Sequence, residues 1–245
     1  MRSKFDLVRS GIIGFDERLG HGLPSGNLYL LSSSLGSNAD LFAQQILFHM
    51  VGAAKKITYY TVGRGSSDII EDMNIFGMNV EQYVSDGSWI FTRIIPPSLK
   101  KIINFMQVNS FEKKIELGDS LSGLMKDFED SAKEGRSTVL YLSQLLRDFS
   151  LNEIENLIFF MTGVARKHGG IHFVLLTEDS HEQNVVVTIK DAFDSVFEFV
   201  SGAVDAEIEN TLTIRKIRNM IPKSRVLRLS VKSAGLVTET TSRIS

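Results

Sequence analysis

Short apolar runs alternate with helical patterns along most of this 245-residue sequence, and this alternation limits the possible folds more than any other feature. Strands that alternate with helices pair in parallel through crossover connections. The strand-like runs cover residues 28–31, 57–62, 89–95, 138–142 and 171–176. The pattern therefore predicts an α/β protein with a mostly parallel central sheet and helices on both faces of the sheet.

Three segments between these runs carry helix signals. Apolar residues line one helical face over 42–51, and a second apolar stripe over 120–133 ends before Gly135. A third helix is predicted from a capping box at Ser150 and Glu153 to Lys167. The helices thus occupy the positions that crossover connections require.

The C-terminal part has a different pattern. Two apolar runs at 211–217 and 226–231 flank a turn around Pro222 and predict an antiparallel hairpin at the sheet edge. Residues 96–120 are less regular, and we expect a helix over 98–108 followed by a flexible link. No internal repeat or shift in composition marks a second domain, so the sequence predicts one domain over residues 1–245.

The composition excludes several kinds of site. Cysteine is absent, which rules out disulfides, a thiolate zinc site and a cysteine nucleophile. The five histidines lack metal-ligand spacing, so we expect no metal. The sequence shows no apolar signal core and no run of about 20 apolar residues, so we expect a cytoplasmic protein without a membrane contact.

Seven basic residues and no acidic ones lie between positions 215 and 232, although the net charge of the chain is −2. Such a cluster can bind phosphate groups or an acidic partner, or it can be a solvated face of a sheet. Both interpretations stay open. The basic residues are Arg215, Lys216, Arg218, Lys223, Arg225, Arg228 and Lys232.

Residues 30–50 have the strand, turn and helix layout of a phosphate-binding loop. Such a loop reads G-x-x-x-x-G-K-[S/T]. Ser33 and Asn38 stand in place of its glycines, Ala39 in place of its lysine and Asp40 in place of its hydroxyl residue. The whole window consists of Ser33, Ser34, Leu35, Gly36, Ser37, Asn38, Ala39 and Asp40.

The segment S-G-I-I-G-F-D-E-R-L-G-H-G-L-P-S-G at residues 10–26 resembles the entry motif of KaiC-like proteins of the RecA superfamily. Lys216-Ile217-Arg218 resembles the K-h-R motif of that family, and residues 233–240 resemble its closing strand. The resemblance implies a RecA-like P-loop ATPase fold and ring assembly with nucleotide at subunit interfaces. It also implies that Lys216 and Arg218 reach a neighbouring subunit.

The positions that carry chemistry in KaiC-like proteins differ in this chain. Gly63 and Arg64 stand where that family has a pair of glutamates, and Leu142 and Ser143 stand at the place of the Walker B aspartate. We therefore expect no hydrolysis and weak or lost ATP binding. Asn38 is expected to cap the following helix. Arg64 can bind a phosphate or pair with Asp40, and of these two roles we favour the pairing.

Four other acids could replace the missing carboxylates or contact a ligand. Glu71 and Asp72 have the spacing of a solvated helix face. Glu178 and Asp179 follow a strand at the place where such sheets put ligand contacts, but we favour their interpretation as surface acids in a loop.

The sequence favours a non-catalytic KaiC-like protein that acts as a scaffold or regulator through contacts with identical or paralogous chains. One alternative is a nucleic-acid-binding recombinase paralogue that uses the basic hairpin for weak contacts to phosphates. Another alternative is an ATPase with a non-standard site.

Overall fold

A computed structural model describes residues 6–101, 109–204 and 207–239. The strands in these ranges are β1 (Leu7–Val8), β2 (Leu23–Pro24), β3 (Asn27–Ser33), β4 (Lys56–Val62), β5 (Trp89–Ile95), β6 (Lys113–Glu116), β7 (Arg136–Tyr141), β8 (Ile171–Thr177), β9 (Ser195–Val204), β10 (Glu207–Lys216), β11 (Val226–Lys232) and β12 (Gly235–Thr238). The α-helices are α1 (Phe15–Leu19), α2 (Ala39–Gly52), α3 (Ser66–Ile75), α4 (Glu81–Ser85), α5 (Ser122–Lys133), α6 (Leu151–His168) and α7 (Gln183–Ala192).

Ten strands form one sheet in the order β12-β11-β10-β9-β3-β8-β7-β4-β5-β6, and β1 pairs with β2 separately. The strands from β9 to β6 in this order are all parallel. The predicted α/β architecture with a mostly parallel sheet is confirmed. Each strand-like run of the sequence lies within one observed strand or ends within one residue of it.

The sheet separates two apolar cores. Alternate residues of a strand point to opposite faces, so Tyr59 packs with α2 and α3 on one face while Tyr60 packs with α5 and α6 on the other. The central strands are buried on both faces, which explains why their sequences are continuously apolar. In the described part of the chain, no helix is long and apolar enough to cross a membrane.

The antiparallel pairing of the C-terminal hairpin is confirmed, because Thr211 of β10 lies opposite Arg228 of β11. The prediction that this hairpin forms the sheet edge is wrong. β12 pairs with β11 and lies at the edge instead, and β9 also pairs with β10 in the antiparallel sense. The antiparallel region therefore has four strands: the apolar pattern predicted β10 and β11, the resemblance of residues 233–240 to a closing strand predicted β12, and β9 was not predicted.

The prediction for residues 96–120 is wrong in its second half. A short 3-10 helix covers Pro97–Leu99, residues 102–108 of the predicted helix lie outside the described residues, and the predicted link contains β6. Glu112 precedes β6 and forms a buried ion pair with Arg93 of β5 at 2.8 Å. Its carboxylate also accepts the N–H of Ser66 at 2.9 Å, which fixes the start of α3.

The segment that resembles the KaiC entry motif has a structural role. The side chain of Asp16 accepts the N–H of Ser10 at 3.1 Å, which fixes the turn before α1. Gly11 has a φ of +72°, and a Cβ at this position would lie 2.5 Å from the ring of His49. The motif therefore packs the N-terminal segment closely against α2.

Candidate functional site

The phosphate-loop window connects β3 to α2 at the carboxyl end of the central strands. The N–H of Ser34 donates to the carbonyl of Phe199 in β9 at 3.0 Å, and the N–H of Ser37 donates to the carbonyl of Ser34 at 3.2 Å. Gly36 has a φ of +78°, which a residue with a Cβ rarely adopts. The loop is thus a defined turn that is anchored to the neighbouring strand.

Asp179 supplies a negative charge to this loop from within the chain. Its Oδ2 accepts the backbone N–H of Leu35 at 2.6 Å. Asp179 follows β8, the strand next to β3, so the sheet topology brings the two segments together. Asp179 is an exposed acid in the segment after β8, as predicted, and its carboxylate in addition binds a backbone amide of the phosphate-loop window.

The start of α2 contains the residues that replace the lysine and hydroxyl of a phosphate loop. Ala39 is only 2% exposed and packs in the core. The carbonyl of Asn38 accepts the N–H of Phe42 at 3.0 Å. The side chain of Asn38 makes no capping hydrogen bond, so the prediction that Asn38 caps the helix through its side chain is wrong.

Asp40 is partly buried in the first turn of α2. Burial raises the pKa of its carboxyl, although the N–H of Leu41 and the charge of Arg64 oppose this shift. Arg64 forms its ion pair with Asp72 of α3 at 2.6 Å. The predicted ion pair between Arg64 and Asp40 is therefore wrong, because the closest carboxylate to the guanidinium is on the helix that follows it.

Two tyrosines lie beside Asp40, near the place of the Walker B aspartate. The hydroxyls of Tyr59 and Tyr141 are 3.0 Å apart, and Gln44 of α2 donates to Tyr59 at 3.2 Å. Burial raises the pKa of Tyr59 to about 12 and raises that of Tyr141 well above its usual range. Both phenols are therefore neutral at physiological pH and act as hydrogen-bonding groups.

Leu142 and Ser143 follow β7 at the Walker B position. Leu142 is fully buried. The hydroxyl of Ser143 accepts the N–H of Thr177 at 2.9 Å, so this side chain holds the end of β8. Both residues have packing roles in the structure.

Glu178 belongs to a chain of alternating charges. Its carboxylate accepts the hydroxyl of Ser32 at 2.7 Å and pairs with Lys190 at 2.8 Å. Lys190 also pairs with Glu198 at 2.9 Å, and Glu198 pairs with Arg215. Burial by itself would raise the pKa of Glu198, but the hydrogen bonds from Lys190 and Arg215 outweigh burial and lower it. Glu178 is a half-exposed acid in the segment after β8, as predicted, and it is held there by Ser32 and Lys190.

Lys216 and Arg218 differ from their predicted placement on one strand. Lys216 is the last residue of β10, after an irregularity in the pairing, and Arg218 lies in the turn that follows. The ammonium of Lys216 donates to the carbonyl of Asp191 at 3.2 Å. The Nε atom of Arg218 is 3.9 Å from the carboxylate of Asp194. Both side chains are half-buried at the end of β10.

The other basic residues of the C-terminal run have varied partners. Arg215 pairs with Glu198, and Arg228 pairs with Glu209 at 3.4 Å. Arg225 donates to the carbonyl of Arg215 at 3.1 Å. Within the described ranges, Lys223 and Lys232 form no ion pair. The basic run is thus partly neutralised by acids of β9 and β10.

The phosphate-loop position after the first central strand and the antiparallel strands at one side of the sheet define a RecA-like P-loop fold. The chain belongs to the KaiC ATPase family, because a protein-family model described as "ATPase: KaiC" matches residues 8–241.

Two curated relatives illustrate the sequence similarity. The chain is 25% identical over 162 residues to circadian clock protein KaiC3 of Synechocystis sp., which covers 61% of this chain and 32% of that protein. It is 28% identical over 82 residues to a UPF0273 protein of Thermotoga maritima, which covers 34% of each. The chain thus spans about a third of the length of the curated relatives it matches.

Two solved structures share the fold. A KaiC-like protein of Pyrococcus horikoshii superposes with a TM-score of 0.74 at 16% identity, covering 96% of this chain and all of the other. The flagellar accessory protein FlaH of Methanocaldococcus jannaschii superposes with a TM-score of 0.77 at 15% identity, with the same coverage. At these identities the superpositions support the fold and say nothing about activity.

Sequence reasoning missed the contribution of several residues to this site. Tyr59 and Gln44 lie within a buried strand and an apolar helix face, and no sequence signal separates them from core residues. The position of Asp179 just after a strand marks it as a candidate in the sequence. No sequence signal predicts that it binds the backbone amide of Leu35.

Proposed function

We propose that this KaiC-family chain is a non-catalytic member of the family, which acts as a scaffold or regulator through contacts with identical or paralogous chains. The observation that carries the proposal is the hydrogen bond from the Leu35 amide to the carboxylate of Asp179. A phosphate loop presents such amides to an anion, and here an anion of the chain itself binds one of them.

The electrostatics of the loop oppose a triphosphate. The lysine that neutralises phosphate is replaced by the buried methyl group of Ala39. A phosphate at the loop would approach the carboxylates of Asp40 and Asp179, and one like-charge pair at 4 Å costs about 4 kcal/mol at an effective dielectric constant of 20. The loop thus lacks an attractive charge and contains repulsive ones.

The side chains at these positions lack the groups that catalyse phosphoryl transfer. Magnesium is bound in such sites by a hydroxyl and an aspartate, and the residues here are Asp40 and Leu142. Water activation needs a base, and Gly63 and Arg64 stand at that place. Three neutral side chains lie beside these positions and form hydrogen bonds with one another: Tyr59, Tyr141 and Gln44.

The alternative of an ATPase with a non-standard site has weaker support. Glu178 and Asp72 are candidate substitute carboxylates for a base or a metal ligand. Glu178 is held by Ser32 and Lys190, and Asp72 is held by Arg64. A base in either position must first lose its ion pair.

The alternative of a nucleic-acid-binding paralogue rests on the basic run. Arg215 and Arg228 already pair with acids, which reduces the charge available to a phosphate backbone. We expect weak binding, with log K falling by about 0.9 per phosphate contact for each tenfold rise in salt on duplex DNA. Nanomolar affinity at physiological salt, lost in Lys223→Ala with Arg225→Ala and Arg228→Ala, would support this alternative.

Calorimetric titration with Mg·ATP, together with a phosphate-release assay, tests the proposed loss of catalysis. We expect no saturable micromolar isotherm and no turnover above a blank. A KaiC-like protein with an intact G-x-x-x-x-G-K-[S/T] loop, titrated in the same buffer, is the positive control. A micromolar isotherm or measurable turnover would overturn the proposal and favour the ATPase with a non-standard site.

A further inference from the structure

An apolar groove of about 430 Å³ lies between α3 and α4. Its apolar lining comes from Ile70, Val84 and Phe111. Glu71 of α3 and Glu81 of α4 also line the groove, and both residues are exposed. We call this feature the α3–α4 groove; it combines apolar surface with negative charge.

Phe111 is the exposed end of a row of aromatic rings. Its ring centroid is 6.4 Å from that of Phe91, which is fully buried, whereas Phe111 itself is 46% exposed. The chain on both sides of Phe111 is anchored to the start of α3. Asn109 donates to the hydroxyl of Ser66 at 2.8 Å, and the carboxylate of Glu112 accepts the N–H of the same serine at 2.9 Å. The backbone that carries the exposed ring is therefore fixed, which lowers the entropic cost of a contact with it.

The surface around the α3–α4 groove is acidic. Residues 65–88 contain five acids and no lysine, arginine or histidine. Asp68, Asp72 and Asp86 each bind a group of their own chain. In the described part of the chain, the carboxylates of Glu71 and Glu81 form no ion pair. The two carboxylates on the walls of the groove thus keep their charge for a positively charged partner.

We propose that the α3–α4 groove binds a short basic segment of a different protein, in which one aliphatic side chain is flanked by lysines or arginines. The aliphatic side chain packs against Ile70, Val84 and Phe111. The cations on either side of it meet Glu71 and Glu81. The inference goes beyond the proposed function, because it involves neither the phosphate-loop window nor a contact between copies of this chain.

Charge complementarity selects this occupant. An uncharged segment would cover Glu71 and Glu81 without a counter-charge, which costs free energy. Nucleic acids, anionic lipids and acidic segments carry the same sign of charge as the groove and are repelled. A small polyamine would pair with the glutamates but would leave the ring of Phe111 in water. A basic segment with an aliphatic side chain satisfies both the charge and the apolar surface.

Fluorescence anisotropy with a labelled synthetic peptide, G-K-K-L-K-K-G, tests the groove. We expect saturable binding to the wild type with a Kd below about 1 mM, as for a weak, transient contact. Two further peptides separate the contributions: G-K-K-S-K-K-G lacks the aliphatic side chain, and G-E-E-L-E-E-G has the opposite charge. Both should bind the wild type about tenfold more weakly or worse, because each loses one of the two complementary features.

A charge-reversal variant locates the binding site. Glu71→Lys with Glu81→Lys should lose about tenfold in affinity for G-K-K-L-K-K-G and should gain affinity for G-E-E-L-E-E-G. Phe111→Ala should weaken the binding of G-K-K-L-K-K-G, and thermal melts show whether each variant is folded. Glu17→Lys with Glu182→Lys is the matched control, since both glutamates are exposed and line no part of the groove. This control has the same net charge as the groove variant and should bind each peptide as the wild type does.

Three results would overturn the inference in the peptide assay: no saturable binding to the wild type below about 1 mM, equal binding of the leucine and serine peptides, or no exchange of peptide preference in the groove variant. The native mass of the groove variant in light scattering should equal that of the wild type. A lower mass would show that a second copy occupies the groove and would also overturn the inference. Titration with Mg·ATP tests the proposed function separately, because the loss of catalysis does not depend on this groove.

Discussion

The carboxylate of Asp179 accepts the backbone N–H of Leu35 at 2.6 Å, across 144 residues of sequence. Because β8 and β3 are adjacent and parallel, the segments after their carboxyl ends meet. An amide that would point at a bound phosphate in a P-loop is thus bound by a side chain. The side chain of Leu35 remains 69% exposed at the tip of the loop.

Replacement of Asp179 by alanine should destabilise the chain without creating a nucleotide site. The Leu35 amide loses a charge-assisted acceptor, and we expect the free energy of unfolding to fall by about 1 kcal/mol because water can replace the carboxylate. Chemical denaturation measures this change, and calorimetry should still show no ATP binding because Ala39 supplies no charge. Asp119→Ala, at an exposed position, is the control, and an equal loss there would contradict the role of the Asp179 hydrogen bond.

The stability of the folded chain should fall as Asp40 loses its proton. An ion-paired carboxylate has the opposite effect, because its ionisation stabilises the folded chain. Burial raises its pKa above 3.8, so the folded chain holds the proton more tightly than the unfolded chain does. The free energy of unfolding therefore falls as the pH rises from about 3.8 through the raised pKa.

Asp40→Asn should melt at a higher temperature than the wild type at pH 7, because no charge is then buried. An asparagine oxygen can still accept the N–H of Leu41. The gain should disappear as the pH falls toward 3.8. Calorimetric melts over this pH range, with Asp119→Asn as the control, measure the difference. A variant that is less stable than the wild type at pH 7 would show that Asp40 is held as a favourable carboxylate.

The central part of the fold was predictable because its strands are buried on both faces and read as uninterrupted apolar runs. α7 was missed for a physical reason: its sequence contains three consecutive valines, which disfavour helix in isolation, and packing of Val186 and Ile189 in the core stabilises the helix instead. β6 reads K-K-I-E and shows little strand signal. Its neighbour Glu112 ties the segment to Arg93, a contact that no local pattern predicts.

The candidate site was predictable in its position and less so in its contacts. The strand, turn and helix around Gly36 were evident from the sequence, and the structure has them in that order. The partner of Arg64 depends on the direction of a flexible side chain, and two acids on different helices compete for it. The hydrogen bond between Tyr59 and Tyr141 joins strands 82 positions apart, and both residues look like ordinary core aromatics.

His172 should limit stability at acidic pH. It is fully buried, donates from Nε2 to the carbonyl of Gly169 at 2.8 Å and accepts the hydroxyl of Thr138 at Nδ1, 3.1 Å away. Burial lowers its pKa from 6.5 to about 4. The unfolded chain therefore takes up a proton first, and stability is lost as the pH falls from 6.5 toward 4, by about 3 kcal/mol.

Denaturant unfolding at several pH values, compared between the wild type and His172→Gln, measures this loss. The glutamine variant should be less stable at pH 7 because the core is repacked, but its stability should change less between pH 6.5 and 4. His21→Gln is the control, since His21 lies on the surface. An identical pH dependence in the wild type and His172→Gln would contradict the buried neutral imidazole.

Lys216 and Arg218 should contribute to assembly more than to the stability of their own chain. Among the described residues, Lys216 binds only a carbonyl of its own chain. Arg218 is 3.9 Å from Asp194, and a partly exposed ion pair of this kind contributes about 0–1 kcal/mol. The backbone of Arg218 binds Ser195 and Asn27, and a side-chain substitution does not remove these bonds. The two cations can therefore be replaced without unfolding the chain.

Lys216→Ala with Arg218→Ala should reduce the native mass in light scattering and leave the thermal melt within a few degrees of the wild type. The physical reason is the loss of two positive charges opposite an acid of the neighbouring chain, such as Asp40, or opposite the nucleotide of a paralogue. Arg166→Ala is the matched control, because Arg166 also pairs with Asp194 but lies on α6. A double variant with unchanged native mass, or a wild type that is monomeric at tens of micromolar with every candidate paralogue, would exclude assembly through this edge.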